Sequence, residues 1–351
     1  MCRIIRSHPL RAIFLILLCI SSINVVYKLL INYSNRDVWD NVSVSFNKPV
    51  IHNESESIKS MTYTVNTTTI EICKLNFKGL KSSIPVDQNS ISLDILEKES
   101  WSANIVDGKW LPPNCLPTEK VAIIIPYRNR EKHLNIFLKH MHPFLQKQLI
   151  SYGIFVIEQA PGTRFNRAAL FNVGYQEALK DQLIQFDCFI FHDVDLLPTN
   201  ENNLYKCGKN PMHMSVAIDK FNYKLPYNAI FGGAVALNKE QFVKVNGFSN
   251  IFYGWGGEDD DMSSRISAVK YSIARYPDSV ARYVMIRHTS DSGNPVNEAR
   301  WKLLKDSHTR YKFDGISTLV YSIESNKPKS KLYKFVSVQF PEKDVLKQWK
   351  L

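Results

Sequence analysis

The sequence predicts an α/β layer fold built on a parallel sheet, and three observations carry that expectation. Short apolar runs rich in β-branched residues recur at Val121–Pro126, Ile154–Ile157 and Cys188–Phe191. Segments of helical periodicity, Glu131 to about Gln148 and Asn166 to about Leu183, lie between them. The first run ends in Tyr127-Arg128-Asn129-Arg130 and the third in His192-Asp193-Val194-Asp195. A continuous apolar run marks a strand covered on both faces, as crossover helices require. Strand, helix, strand, helix and strand in that order put ligands at the carboxyl ends of the strands.

Ahead of the sheet, Arg3, Arg6 and Arg11 precede an apolar run from Ala12 to Ile31, broken by Ser21, Ser22, Asn24 and Lys28. About 20 apolar residues cross a bilayer, and a basic flank stays cytosolic. The expectation is a cytosolic tail at 1–11, a transmembrane signal anchor at 12–31 and a lumenal remainder. A cleaved signal peptide is the alternative, but no small-x-small site follows the apolar core. Sequons start at Asn32, Asn41, Asn53 and Asn66 and nowhere further along. Confined to one polar stretch, they predict a glycosylated stem over 32–72, modified at Asn41, Asn53 and Asn66. Asn32 is too close to the membrane.

Cys2 and Cys19 fall in the tail and anchor, leaving Cys73, Cys115, Cys188 and Cys207. An even number in an oxidising compartment predicts two disulfides, with three connectivities open. The remaining 73–351 is long enough for one large domain with a sizeable core. The net charge of +11 is spread along the chain. It fits a basic surface around an anionic substrate better than nucleic acid. No GxGxxG follows the first strand and no GxxxxGK[ST] occurs, which opposes nicotinamide, flavin and P-loop chemistry.

Two acidic motifs carry the chemistry. Asp193 and Asp195, spaced i, i+2 at a strand end, can both reach a divalent cation. Gly254-Trp255-Gly256-Gly257-Glu258-Asp259-Asp260-Asp261 sets four successive carboxylates behind a glycine-hinged tryptophan. Glycines let the backbone come close to a ligand, an aromatic face stacks on a sugar, and a carboxylate removes a hydroxyl proton. Taken alone, an acidic helix N-terminus after a solvated turn reads the same way. Arg128, Arg130 and Arg167 suit bidentate recognition of phosphate.

Together Ile124–Arg130, Phe165–Ala168, Asp193–Asp195, Phe231–Gly233, Gly254–Asp261 and Met285–His288 resemble the β-1,4-galactosyltransferase family, glycosyltransferase family 7. The match holds in order and spacing over roughly Cys73–Tyr321, and is most similar to the invertebrate-type β-1,4-N-acetylgalactosaminyltransferases. The resemblance implies a GT-A (Rossmann-like) domain and inverting, manganese-dependent transfer from a UDP-sugar to the 4-hydroxyl of a terminal N-acetylglucosamine. Asp195, Met285 and His288 match the metal ligands. Ligand chemistry alone opposes Met285, because manganese prefers oxygen and a thioether is soft. Asp259 matches the catalytic base and Glu258 a donor-sugar contact. Pro126, Arg128, Arg130, Phe165, Arg167, Asp193, Val194 and Lys220 match the uridine and phosphate positions. Asp260, Arg300, Trp301 and Leu304 match the acceptor positions, and Trp255 meets both sugars. The disulfides implied are Cys73–Cys115 and Cys188–Cys207. A loop that closes over donor and metal is implied from about Ile286 to Asp306.

Ile230 stands where vertebrate members carry a tyrosine that limits space beside the donor sugar's 2-position. A smaller residue admits an acetamido group, so the expected donor is UDP-GalNAc and the product GalNAcβ1-4GlcNAc. UDP-Gal on the same glycoprotein or glycolipid acceptor is the alternative. The Gly-Gly-Glu-Asp-Asp-Asp and Met-x-x-His segments oppose the branch that transfers galactose to xylose. Joint retention of Asp195, Asp259, Met285 and His288 opposes a silent sugar-binding protein. The implied location is the Golgi membrane, with the catalytic domain lumenal.

Overall fold

The computed structural model describes residues 70–287 and 294–350. The tail, the anchor and nearly all of the stem, with Asn32, Asn41, Asn53 and Asn66, lie outside the described residues, as does His288. Among the described residues no helix is long and apolar enough to cross a membrane.

The first half comprises β1 (Lys109–Trp110), β2 (Lys120–Tyr127), α1 (Glu131–Lys147), β3 (Ser151–Gln159), α2 (Arg167–Leu179) and β4 (Cys188–His192). Short strands follow: β5 (Leu196–Pro198), β6 (Met212–His213), β7 (Ala217–Ile218) and β8 (Ala234–Asn238). The remainder holds α3 (Glu258–Ala268), β9 (Ala274–Arg275), β10 (Arg282–Met285), α4 (Arg300–Lys305), α5 (Ser307–Arg310), β11 (Ser322–Ser325) and β12 (Lys334–Gln339).

Strand β2 is buried from Val121 to Tyr127 because it has a core on each face. Val121, Ile123 and Ile125 meet Leu134, Phe137 and Met141 of α1, whereas Ala122 and Ile124 meet Leu170, Phe171 and Val173 of α2. Strands β12, β3, β2 and β4 lie parallel in that order. Strand β8 joins β4 antiparallel, and β6 and β9 extend the same edge. The chain places β3 on one side of β2 and β4 on the other, so the loops after β2 and β4 diverge and leave a crevice. A small second sheet, β5–β10–β7, stands beside it and sets Met285 opposite Leu196.

The parallel succession and both crossover helices follow the expectation. Strand β3 begins three residues before Ile154, because Tyr152 and Gly153 pair with β1 and Ser151 pairs with Lys120. Helix α2 stops at Leu179 and not near Leu183. Asp181 Oδ1 accepts the N–H groups of Leu183 and Ile184 at 3.0 and 2.8 Å, a local turn that competes with the helix. The disulfides are Cys73–Cys115 and Cys188–Cys207.

Helix α3 is fixed by a buried ion network. Asp261 accepts from Arg265 Nε at 2.5 Å, from Ser307 Oγ at 2.5 Å and from Arg310. Asp314 accepts from Arg265 at 3.1 Å and from Arg310 at 3.3 Å. All four charged residues are buried.

Gly174 lets α2 lie on β2: a Cβ there would sit 2.2 Å from Ile124 Cγ2 and 3.1 Å from Ile157 Cγ1. Intrinsic helix propensity favours alanine at such a position. The overpacking outweighs it, and Gly174→Ala is predicted to lower unfolding free energy by about 1–3 kcal/mol. A thermal midpoint equal to or above that of the unsubstituted protein would contradict this contact.

Candidate active site

A cleft of about 570 Å³ opens at the carboxyl ends of β2 and β4. Pro126, Arg128 and Arg130 line it from the loop after β2, and Asp193, Val194 and Asp195 from the loop after β4. Phe165 and Arg167 enter from the start of α2, Lys220 from beside β7, and Trp255, Glu258 and Asp259 from the start of α3. Asn166 caps α2 by accepting the Ala169 N–H at 2.9 Å, which sets Arg167 at the mouth. Arg128 donates to the Thr163 carbonyl at 2.9 Å and lies over the Phe165 ring.

The four consecutive carboxylates go four ways, because each helical residue turns about 100° from the last. Glu258 meets Arg167 Nη1 at 3.4 Å. Asp259 leans on Gly232, where a Cβ would sit 2.7 Å from its Oδ2. Asp260 accepts the Tyr227 hydroxyl at 2.8 Å. Asp261 turns inward to Arg265 and Arg310. The four thereby take different partners, and Asp261 is structural.

Arg167 is shared: its Nε donates to Asp193 at 2.6 Å while Nη1 faces Glu258. Burial works against its charge, but Asp193 and Glu258 hold its pKa above the ordinary value. Burial pushes Glu258 up to about 7, with Asp259 adding to the rise. Burial also raises Asp193, to about 6; Arg167 opposes the rise and Asp195 adds to it.

The glycine-hinged loop is built by strand-like contacts. The Trp255 N–H donates to Pro295 O at 2.8 Å, Asn297 N–H returns to Trp255 O at 3.0 Å, and Gly254 N–H reaches Phe165 O at 2.8 Å. Gly254 has φ +92°, and a Cβ there would sit 2.5 Å from Pro295 O, so this position requires glycine. Trp255 remains 60 % exposed.

Of the predicted acceptor residues Trp255 lines the cleft, whereas Arg300, Trp301 and Leu304 stand around that loop and are not among the cleft-lining residues described. The Arg300 guanidinium lies 5.8 Å from the Trp255 ring and 5.2 Å from that of Trp301. Leu304 packs with Ile251, Phe252 and Leu303. Met285 is not among the cleft-lining residues described; β10 sets it opposite Leu196, where the Ile286 N–H donates to Asp195 O at 2.7 Å and the Met285 N–H to Asp219 Oδ1 at 2.8 Å. Ile230 is half-buried, its carbonyl accepts from Arg275, and it is not among the cleft-lining residues described. His133, Asn294 and Val296 also line the cleft. Sequence reasoning missed them, since none belongs to a charged or glycine-rich motif.

Comparison with known proteins agrees with this arrangement. Residues 73–208 match the family pattern described as the N-terminal region of glycosyl transferase group 7, and residues 212–289 that described as the N-terminal domain of galactosyltransferase. Mouse (Mus musculus) β-1,4-galactosyltransferase 4 is 48 % identical over 251 residues, 71 % of each chain. Cricetulus griseus β-1,4-galactosyltransferase 2 is 46 % identical over 246 residues, 70 % of this chain and 66 % of its own. Among solved structures, the catalytic domain of Drosophila β-1,4-galactosyltransferase 7 complexed with xylobiose superposes with a TM-score of 0.53 at 28 % identity. It covers 64 % of this chain and 94 % of its own. A mutant of that enzyme complexed with manganese, UDP-Gal and xylobiose gives 0.54. The α/β fold is therefore GT-A-like, and the chain belongs to glycosyl transferase group 7, as a glycosyltransferase related to the β-1,4-galactosyltransferases.

Proposed function

We propose that this protein transfers galactose from UDP-Gal to the 4-hydroxyl of a terminal N-acetylglucosamine, with inversion, to give a β-1,4 linkage. The observation that carries the reading is Asp259, seated on Gly232 in the same cleft as Asp193, Asp195 and the arginines after β2. A base must reach the attacking hydroxyl while the leaving diphosphate is held elsewhere. Asp259 is the base: it takes the proton from the acceptor 4-hydroxyl as that oxygen attacks the anomeric carbon. The bond from that carbon to the diphosphate breaks, and attack from the opposite face turns an α-linked donor into a β-linked product. Arg128, Arg130 and Lys220 offset the charge left on UDP. Trp255 offers its exposed face to the sugars, and Asp260, Arg300, Trp301 and Leu304 frame the acceptor.

The manganese ligands implied are Asp195, Met285 and His288. Asp195 supplies the hard carboxylate such an ion takes and β10 runs beside its loop, while Met285 would add a soft thioether and His288 lies outside the described residues. The raised Asp193 beside them is the condition that a divalent cation relieves. When bound, manganese supplies charge compensation on the diphosphate. The charge asymmetry of the N-terminus and the clustered sequons support a Golgi membrane location with this domain lumenal.

The donor is the finer point. The relatives matched are galactosyltransferases, and the Drosophila mutant complex holds UDP-Gal. Ile230 alone favours UDP-GalNAc, through the space a smaller side chain leaves. Separate reactions with UDP-Gal and UDP-GalNAc, manganese and a GlcNAc-terminated acceptor decide it, and faster transfer of galactose is expected. Faster transfer of N-acetylgalactosamine would overturn the choice, and Ile230→Tyr should then restore galactose.

Glu258 gives a second prediction. Its folded pKa, about 7, lies above its ordinary value of 4.5, so its neutral form is favoured by folding. The associated stability is full below about pH 4.5 and is lost as pH rises through about 7. Glu258→Gln stays neutral, so without metal or nucleotide its thermal midpoint should exceed that of the unsubstituted protein at pH 8. The gain is roughly 1–3 kcal/mol, and it should shrink toward pH 4.5. A difference independent of pH would show that Glu258 is not held up by burial.

A further inference from the structure

We propose that Arg275 is a positioning residue for this reaction, holding the Tyr227–Gly233 segment against Asp259; the proposal rests on the transfer reaction proposed above. Strand β9 forms the edge of the main sheet and sets Arg275 opposite His213 of β6. From that edge the guanidinium makes three bonds inward. Its Nε–H donates to His213 Nδ1 at 3.1 Å, and Nη2 donates to the carbonyls of Asn228 and Ile230 at 2.9 Å each.

The link continues underneath. Because His213 Nδ1 accepts, its ring proton sits on Nε2, which lies 3.5 Å from Ser215 Oγ, beside the Gly232 carbonyl. Burial and the neighbouring Arg275 push His213 down to about 3, which keeps the ring in that accepting, neutral form. Ser215 Oγ donates to the same Gly232 carbonyl at 3.0 Å and accepts the Ala234 N–H at 2.9 Å. Gly232 is thus pinned from below while Asp259 leans on it from above. A Cβ on Gly233 would sit 2.4 Å from Ser215 Oγ, so the segment has no slack there.

Three features of the site share this anchor. Gly232 sets the wall under Asp259, Tyr227 donates to Asp260, and Ile230 is held through its own carbonyl. Arginine suits the task because its planar fork presents several donors at fixed angles, which an ammonium group does not. The groups assigned to UDP stand on other elements, at the ends of β2 and β4, the start of α2 and, for Lys220, beside β7.

The test is steady-state kinetics of Arg275→Lys and Arg275→Gln beside the unsubstituted enzyme, with manganese, a GlcNAc-terminated acceptor and each donor. The expected result is a fall in kcat of roughly ten- to a hundredfold, since small misplacements of a reacting group cost that much. KM for UDP-Gal should stay within about twofold, and the ratio of UDP-Gal to UDP-GalNAc use should shift. Lysine should fare no better than glutamine, because the fork and not the charge is needed. Arg275→Lys with the original kcat and donor ratio would overturn the proposal. So would kcat, nucleotide affinity and thermal midpoint all falling together, the pattern of general destabilisation. An unsubstituted enzyme that transfers neither sugar sinks the transfer reading and this proposal with it; an active one with unaltered Arg275→Lys sinks this proposal alone.

Discussion

Asp261 and Asp314, each shared between Arg265 and Arg310, are the contacts on which the site depends. Four charges taken out of water carry a large desolvation cost, which their mutual attraction only roughly offsets. The network's value therefore lies in placement more than in net stability. It ties α3 to α5 and to the turn at Asp314, whose carboxylate also accepts the Ser249 hydroxyl at 2.5 Å and the Asn250 N–H at 2.9 Å. With Asp261 committed inward, the rotation of α3 is set. Asp259, two residues earlier, must then face Gly232 and the cleft.

Around that fixed helix the acidic groups divide between structure and chemistry. Glu258 and Asp193 share Arg167, so that arginine is largely neutralised before any nucleotide arrives. Arg128, Arg130 and Lys220 also line the cleft, on other elements. Such an arrangement suits a dianionic leaving group accompanied by a metal ion, with Asp193 after β4 held above its ordinary range chiefly by burial.

Much of this was legible in the sequence, for identifiable reasons. The β2 run is apolar without alternation because it has a core on each face, and the arginines and the Asp-x-Asp sit where β2 and β4 stop. The partition of the four carboxylates was not legible, because it depends on the helical phase set at Gly257. Asp261 and Arg265 are spaced i, i+4, a pairing that spacing suggests. Arg310 and Asp314 each lie 49 residues from their partners in α3, Asp261 and Arg265, beyond any local pattern. The end of α2 at Leu179 was hidden by Asp181, whose side chain competes with the helix. Arg275 was invisible for a similar reason: its role is to bond two carbonyls, and carbonyls leave no trace in side-chain identity.

The most direct test is to measure thermal midpoint, UDP binding and sugar transfer on the same preparations of Asp259→Asn and Asp261→Asn. Asp259→Asn should keep its midpoint and bind UDP while losing transfer. Asp261→Asn should lose roughly 3–5 kcal/mol of stability, the cost of breaking a buried pair. Transfer that survives in Asp259→Asn, or a midpoint left unchanged in Asp261→Asn, would contradict the division between a structural and a reacting carboxylate.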